Sequence, residues 1–183
     1  MQVAETNIEA LKAANVKKMV SICPHCVRTI GTDWKEAGAT FQIEHHSELL
    51  ARIQDRLPNA TAGAPRESVV FHDPCYLGRY RDVYEQPRAV VAHTAQVVEP
   101  RRTRERSFCC GAGGGQMFLG EEKGKRVNVE RVEELAATGA HVIGTACPFC
   151  QTMFRDALGT VTQTPPKLLD IAQIAAAALP AEE

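Results

Sequence analysis

The segment IEALKAANVKKMVSICPHC (residues 8–26) recurs without gaps 124 positions later as VEELAATGAHVIGTACPFC (residues 132–150). Glu9, Leu11, Ala13, Cys23, Pro24 and Cys26 return as Glu133, Leu135, Ala137, Cys147, Pro148 and Cys150. Such self-similarity means that one supersecondary unit is used twice, so any fold that suits one copy must suit the other. Each copy reads as helix, turn, buried strand, CPxC and helix. Asn15 and Gly139 stand at the helix-to-strand turns, where a left-handed backbone is needed. The pattern predicts helix over VRTIGTDWKEAG to Gly38 and over QTMFRDALG to Gly159. A strand TFQIEH and a helix SELLARIQDRL, N-capped by Ser47, follow in the first copy. PKLLDIAQIAAAAL closes the second in the same way.

Between the copies, LPNATAGAPRES is the most loop-like stretch, which predicts a linker over 59–67 between units 1–58 and 68–183. A strand SVVFH, helical segments around 76–94, a short strand AQVVE and a long helix of about 118–138 complete the chain. Alternating strands and helices predict an α/β fold, a largely parallel sheet flanked by helices. In such sheets chemistry collects where strand C-termini meet helix N-termini. Cys75 and both CPxC motifs fall at these junctions.

Lys plus Arg number 21 against 22 Asp plus Glu, so charge gives no reason to expect nucleic acid as a partner. No apolar run approaches the roughly 20 residues that cross a bilayer, and MQVAETNIEALKAANVKK has no apolar signal-peptide core. The expected compartment is the cytoplasm, where structural disulfides are rare. The 7 cysteines therefore need another role. Six stand in close pairs, Cys23/Cys26, Cys109/Cys110 and Cys147/Cys150, and Cys75 stands apart. An odd count with adjacent cysteines points to metal or redox chemistry. Cys75, Cys109, Cys110, Cys147 and Cys150 lie on three loops at one sheet edge and can converge. Thiolates suit zinc or iron–sulfur clusters, and five is one more than tetrahedral zinc uses. Cys23-Pro24-His25-Cys26 alone also fits a thiol–disulfide oxidoreductase.

HDPCYLGR, SFCCGAGGGQMF, GKRVNVERVEE and TACPFC together resemble the cysteine-rich CCG domain of the heterodisulfide reductase-related superfamily. That superfamily includes iron–sulfur subunits linked to lactate, glycolate and glycerol-3-phosphate oxidation. The resemblance covers essentially the whole chain. It implies an iron–sulfur cluster of the 4Fe-4S type, non-cubane in some relatives, held by Cys75, Cys109, Cys110, Cys147 and Cys150. Members usually carry two CCG motifs. Here the second is complete and only the CxxC end of the first is present. The expectation is therefore two repeat-related CCG halves with the first truncated, and Cys23 and Cys26 as a ligand pair lacking the rest of its set.

The function implied is that of an electron-transfer domain in an oxidoreductase. The partners implied are flavoprotein, ferredoxin-type or quinone-reducing membrane modules, which would bring the chain to the cytoplasmic face of a membrane. The alternatives are the CPHC thiol–disulfide enzyme and a zinc-stabilised structural module. Gly111 and Gly113 would let backbone N–H groups approach the cluster sulfurs, ahead of a helix N-terminus that favours negative charge. A dinucleotide loop would need a buried strand where RRTRERS stands. His72 is a candidate donor to a cluster sulfur or a proton shuttle, and Asp73 a helix N-cap. Arg101, Arg102, Arg104 and Arg106 read as a solvated loop, and His45 and His46 as a surface helix start. His25 stands between two thiols whose pKa an imidazolium would lower. Trp34 and the phenylalanines read as core.

Overall fold

The computed structural model describes residues 2–57, 66–119 and 124–179. Residues 58–65, which include most of the expected linker, lie outside them. The first repeat copy supplies α1 (Gln2–Ala13), β1 (Lys18–Ser21), α2 (Pro24–Gly31), β2 (Gln42–His45) and α3 (His46–Arg52). The rest supplies β3 (Ser68–Phe71), α4 (Cys75–Arg81), α5 (Glu85–Thr94), β4 (Gln96–Val98), α6 (Val127–Ala136), β5 (Val142–Thr145), α7 (Pro148–Val161), β6 (Lys167–Asp170) and α8 (Ile171–Ala176). The fold is α/β. Four strands form an all-parallel sheet in the order β4-β3-β5-β6, and β1 and β2 pair in parallel in a sheet of their own.

A parallel sheet needs both faces covered, and its strands are accordingly apolar throughout. Val69, Phe71 and Val142 turn to one face, where Val90 and Val91 of α5 and Ile171 and Ile174 of α8 close over them. Val70 and Ile143 turn to the other, against Val132 and Leu135 of α6 and Phe154 and Leu158 of α7. The first copy has a smaller core of Ile8, Ala39 and Phe41, with Leu11, Met19 and Trp34 packed around it. Its α3 leaves that core and packs on α5 and α8.

The two copies differ in one decisive respect. β5 is buried along its whole length between β3 and β6, whereas β1 alternates between exposed and half-buried residues. Val20 and Ile22 are 45% and 56% exposed. The counterpart of Val20 is Gly144, where a Cβ would stand 2.9 Å from Val69 Cγ1. Only glycine lets β5 approach β3 this closely, a constraint β1 does not face.

Asn15 and Gly139 take the left-handed conformations expected, with φ of 54° and 71°. Other boundaries differ from those expected. The helix after Cys23 stops at Gly31, because Thr32 (φ −128°) leaves the helical region, and a single 3-10 turn, Asp33–Lys35, follows. Its counterpart α7 runs past Gly159 to Val161. The helical segments expected around 76–94 are α4 and α5, separated at Asp82, which adopts a left-handed φ of 56°. The helix expected over 118–138 begins at Val127; Phe118 and Leu119 lie before it in a turn, and residues 120–123 fall outside the described part.

The cap of α3 is His45 rather than Ser47, because β2 runs straight into the helix. His45 Nδ1 accepts from Ser47 N at 3.3 Å, and Glu48 accepts from His45 N at 2.9 Å, completing a capping box. Asp170 and Gln173 build the same box on α8. His45 and His46 are buried, against the surface position expected, and His46 Nε2 meets Asp170 Oδ1 at 2.9 Å. Among the described residues no helix is long and apolar enough to cross a membrane.

Candidate metal centre

β3 and β5 end side by side, which brings two loops to one edge of the sheet. The first carries His72 to Cys75 and opens α4; the second carries Cys147 to Cys150 and opens α7, with Pro148 in its first turn. The loop after β4 brings in Cys109 and Cys110. Their thiols lie close enough to shift one another's ionisation in succession, Cys75 with Cys109, Cys109 with Cys110, Cys110 with Cys150 and Cys150 with Cys147. All seven thiols are free.

Thiols packed this closely cannot share protons evenly. Hydrogen bonds from Cys110 and Cys75, helped by the Gly111 N–H, pull the Cys109 thiol down to about 2. A hydrogen bond from Cys150, with a further contribution from His25, brings Cys147 down to about 5. The cost falls on the donors. Cys110 is pushed up to about 12 by its bond to Cys109, and Cys75 and Cys150 are also raised, by thiol neighbours and burial. Five thiols, with Cys109 and Cys147 lowered, form a soft donor set.

Gly111 supports this set directly. It is buried with φ +89°, and its N–H donates to Cys109 Sγ at 3.3 Å. A Cβ there would stand 3.2 Å from both Asn128 N and Val127 Cβ, so glycine allows the loop to meet the N-terminus of α6. The loop and that helix end thus meet through folding, not through chain continuity. Gly113 lies exposed in a 3-10 turn, and apart from its chain neighbours no atom of the described residues lies within 4 Å of where a Cβ would be.

His72, Cys110 and Cys150 each bring a ligand-type atom within 4.8 Å of the others, and all three are buried. The imidazole is nevertheless engaged elsewhere. Arg131 Nε donates to His72 Nδ1 at 3.2 Å. A guanidinium is always protonated, so Nδ1 must accept and the ring proton must sit on Nε2. That Nε2–H is buried and has no hydrogen-bond partner among the described residues. Burial, together with the charge of Arg131, keeps the ring neutral by holding its pKa well below the usual range. To bind a metal, Nε2 would have to move its proton onto the nitrogen facing Arg131. His72 is thus built as an N–H donor into a sulfur-lined space.

Arg131 is fully buried and also donates to Arg102 O (3.0 Å), Glu134 (2.8 Å) and Ser107 Oγ (3.3 Å). No role for it was legible in the motif, although a signal existed. Asn128, Arg131, Val132 and Leu135 form the buried stripe of α6 at i, i+3, i+4 and i+7, and polar groups in an apolar stripe call for partners.

Asp73 does not cap α4, whose N-cap is Pro74. It is buried and grips Arg88 with both oxygens (2.7 and 2.9 Å), while accepting from Arg104 N at 2.7 Å. The arginine loop is only partly solvated. Arg101 and Arg106 are exposed, but Arg102 reaches Glu130 and Glu134 and lies 3.8 Å over the Phe108 ring, and Arg104 pairs with Glu85 and Glu99. These cations fasten the cysteine loop to the body of the protein. Arg79 adds two bonds from α4, to Glu105 O and Ser107 O.

Cys23 is buried and Cys26 exposed at the C-terminal end of β1. Burial and the neighbouring Cys23 thiol raise Cys26. His25, between them, does not turn only to its own pair. Its Nδ1 stands 4.0 Å from Cys23 Sγ and 4.0 Å from Cys147 Sγ. Phe149, the residue between the cysteines of the other copy, meets the His25 ring edge-on at 4.8 Å. Repeat-related residues that touch each other place the two CPxC motifs face to face, as in an isologous contact.

The family model for the cysteine-rich domain CCG matches residues 1–31 and 69–155. The chain is 40% identical over 157 residues to the probable iron-sulfur-binding oxidoreductase FadF of Bacillus subtilis, covering 85% of this chain and 22% of that protein. It is 34% identical over 180 residues to the EtfAB:quinone oxidoreductase of Syntrophomonas wolfei (92% of this chain, 25% of that protein). Identity to a subunit of the dihydromethanophenazine:CoB–CoM heterodisulfide reductase of Methanosarcina mazei is 35% over 162 residues (85% and 39%). The chain thus spans 22–39% of the length of these relatives.

Proposed function

The chain belongs to the cysteine-rich CCG domain family, and on that premise we propose that it is an iron–sulfur-binding electron-transfer domain of an oxidoreductase. The observation that carries this is the group of five thiols at one sheet edge, beside the Nε2–H of His72, which has no hydrogen-bond partner among the described residues. The donor set fits the group. Five soft sulfurs exceed what tetrahedral zinc uses, and an anionic sulfide-rich cluster calls for N–H donors around it.

Cys75, Cys109, Cys110, Cys147 and Cys150 would hold the cluster, of the 4Fe-4S type, which supplies one-electron redox chemistry when bound. His72 donates through Nε2, in the tautomer that Arg131 enforces. The Gly111 N–H donates to Cys109, and the N-termini of α6 and α7 add positive potential. The β3 and β5 loops carry three of these cysteines, Cys75, Cys147 and Cys150. Cys23 and Cys26 stand outside this set. β1 has no counterpart of β3 or β4 beside it among the described residues, and so no counterpart of the loops that bear Cys75, Cys109 and Cys110.

The similar proteins are by name an iron-sulfur-binding oxidoreductase, an EtfAB:quinone oxidoreductase and a heterodisulfide reductase subunit. The partners that fit are a flavoprotein or ferredoxin-type donor and a quinone-reducing module, meeting this domain at the cytoplasmic face of a membrane. The test is anaerobic purification followed by iron, sulfide and zinc analysis of wild type and variants. Iron and acid-labile sulfide in comparable amounts are expected. They should be lost in Cys110→Ser and Cys147→Ser and kept in Cys23→Ser. A colourless protein with one equivalent of zinc would overturn the reading.

A further inference from the structure

The CPHC motif of the first repeat copy sits where it can act on the other copy's thiols. His25 Nδ1 stands 4.0 Å from Cys147 Sγ, which belongs to the five-sulfur set, and the same distance from Cys23 Sγ, which does not. The ring is clamped in this place. Tyr76 stacks on it with centroids 3.9 Å apart and planes 27° apart, and Phe149 closes its edge at 4.8 Å. Tyr76 follows Cys75 in the chain and stacks in turn on Tyr80 at 4.6 Å, with the Arg28 guanidinium 5.3 Å from the Tyr80 ring. An aromatic ladder thus ties His25 to the loop that bears Cys75. By contrast Phe149, its repeat counterpart, has no polar atom with which to answer Cys23.

We infer that His25 is a positioning residue for the centre in the opposite repeat copy, donating its Nδ1–H to the sulfur of Cys147. The first copy would then contribute to the centre through its histidine and not through its cysteines. This rests on the cluster reading of the five thiols. A donor to a ligand sulfur favours the state in which that sulfur carries more negative charge. For a cluster, that is the reduced form, so the donor raises the reduction potential.

The test compares His25→Phe with His25→Gln in the cluster-loaded full chain, by anaerobic redox titration followed by electron paramagnetic resonance and visible absorption. His25→Phe keeps a ring against Tyr76 and Phe149 but has no donor. His25→Gln loses the ring but keeps an N–H. Donation predicts that His25→Phe shifts the oxidised-to-reduced ratio about tenfold toward the oxidised form at fixed potential, about 59 mV for one electron. It predicts that His25→Gln stays within about twofold of wild type. A role in packing alone predicts the reverse, with His25→Phe unchanged and His25→Gln shifted, and that result would overturn the inference, as would equal potentials in all three proteins. Should His25→Phe lose its iron, a potential near wild type in His25→Leu would overturn it and a fall like that predicted for His25→Phe would support it. A wild type without iron and sulfide would overturn the cluster reading itself, and the inference with it.

Discussion

Replacing Arg131 by Met removes a buried cation that reaches both the cysteine loop and His72, while keeping most of the side chain's apolar bulk. The expected loss can be worked out partner by partner. Glu134 remains paired, since Arg102 reaches it through both Nε and the backbone N at 2.8 Å. Ser107 Oγ keeps its bond to Asp73 O at 3.2 Å. What remains is His72 Nδ1 and Arg102 O, both deprived of the guanidinium. A buried acceptor left unsatisfied costs about 1–3 kcal/mol. His72 Nδ1 is buried and bears that cost in full, while the part-buried Arg102 O adds less, for a loss of about 2–4 kcal/mol in all. At about 2–4 °C per kcal/mol for a chain of this size, a loss near 3 kcal/mol lowers Tm by about 6–12 °C.

The assay is thermal unfolding followed by circular dichroism, anaerobically, with wild type and variant in the same cofactor state. Nitrogen-15 NMR of the His72 ring gives an independent readout. Wild type should hold the proton on Nε2, and Arg131→Met should show both tautomers. A Tm loss below about 2 °C would refute the reasoning, because the guanidinium would then contribute no more than a surface arginine. So would an unchanged ring tautomer, because something other than Arg131 would be fixing it.

Two further outcomes are expected. Gly144→Ala should destabilise by about 1–3 kcal/mol through overpacking against Val69 and Ile174, while Val20→Ala at the repeat-related site should change stability by less than about 0.5 kcal/mol; equal effects in chemical denaturation would refute the account of the β3–β5 approach. His45 is buried and held neutral, its pKa lowered to about 3 by burial and then by His46. The unfolded chain therefore takes up this proton first as pH falls. The contribution is complete above about pH 6.5 and is lost toward pH 3, at up to about 1.4 kcal/mol per pH unit. Denaturation midpoints measured across pH 4–7 should show that His45→Gln flattens this slope, and an unchanged slope would count against it.

Much of this protein was legible in its residues. The repeat, the CPxC pairs and the left-handed turns at Asn15 and Gly139 are local patterns. Local patterns survive into the fold because backbone sterics and strand–helix alternation act over a few residues. The grouping of the five cysteines was legible for a related reason, since a parallel sheet gathers the C-terminal ends of its strands at one edge. What the sequence could not decide was which side chains face one another across that edge. Asp73 reads as a cap because capping is local, yet burial gives it to Arg88 and the arginine loop. His45 and His46 read as surface residues because histidine is polar, yet α3 carries them into the contact with α8. His25 reads as a modulator of its own two cysteines, yet packing of one repeat copy against the other turns it equally toward Cys147. These are contacts between segments far apart in the chain. Only the tertiary structure chooses among such pairings, because it alone determines which polar groups lose water and must find a partner within the protein.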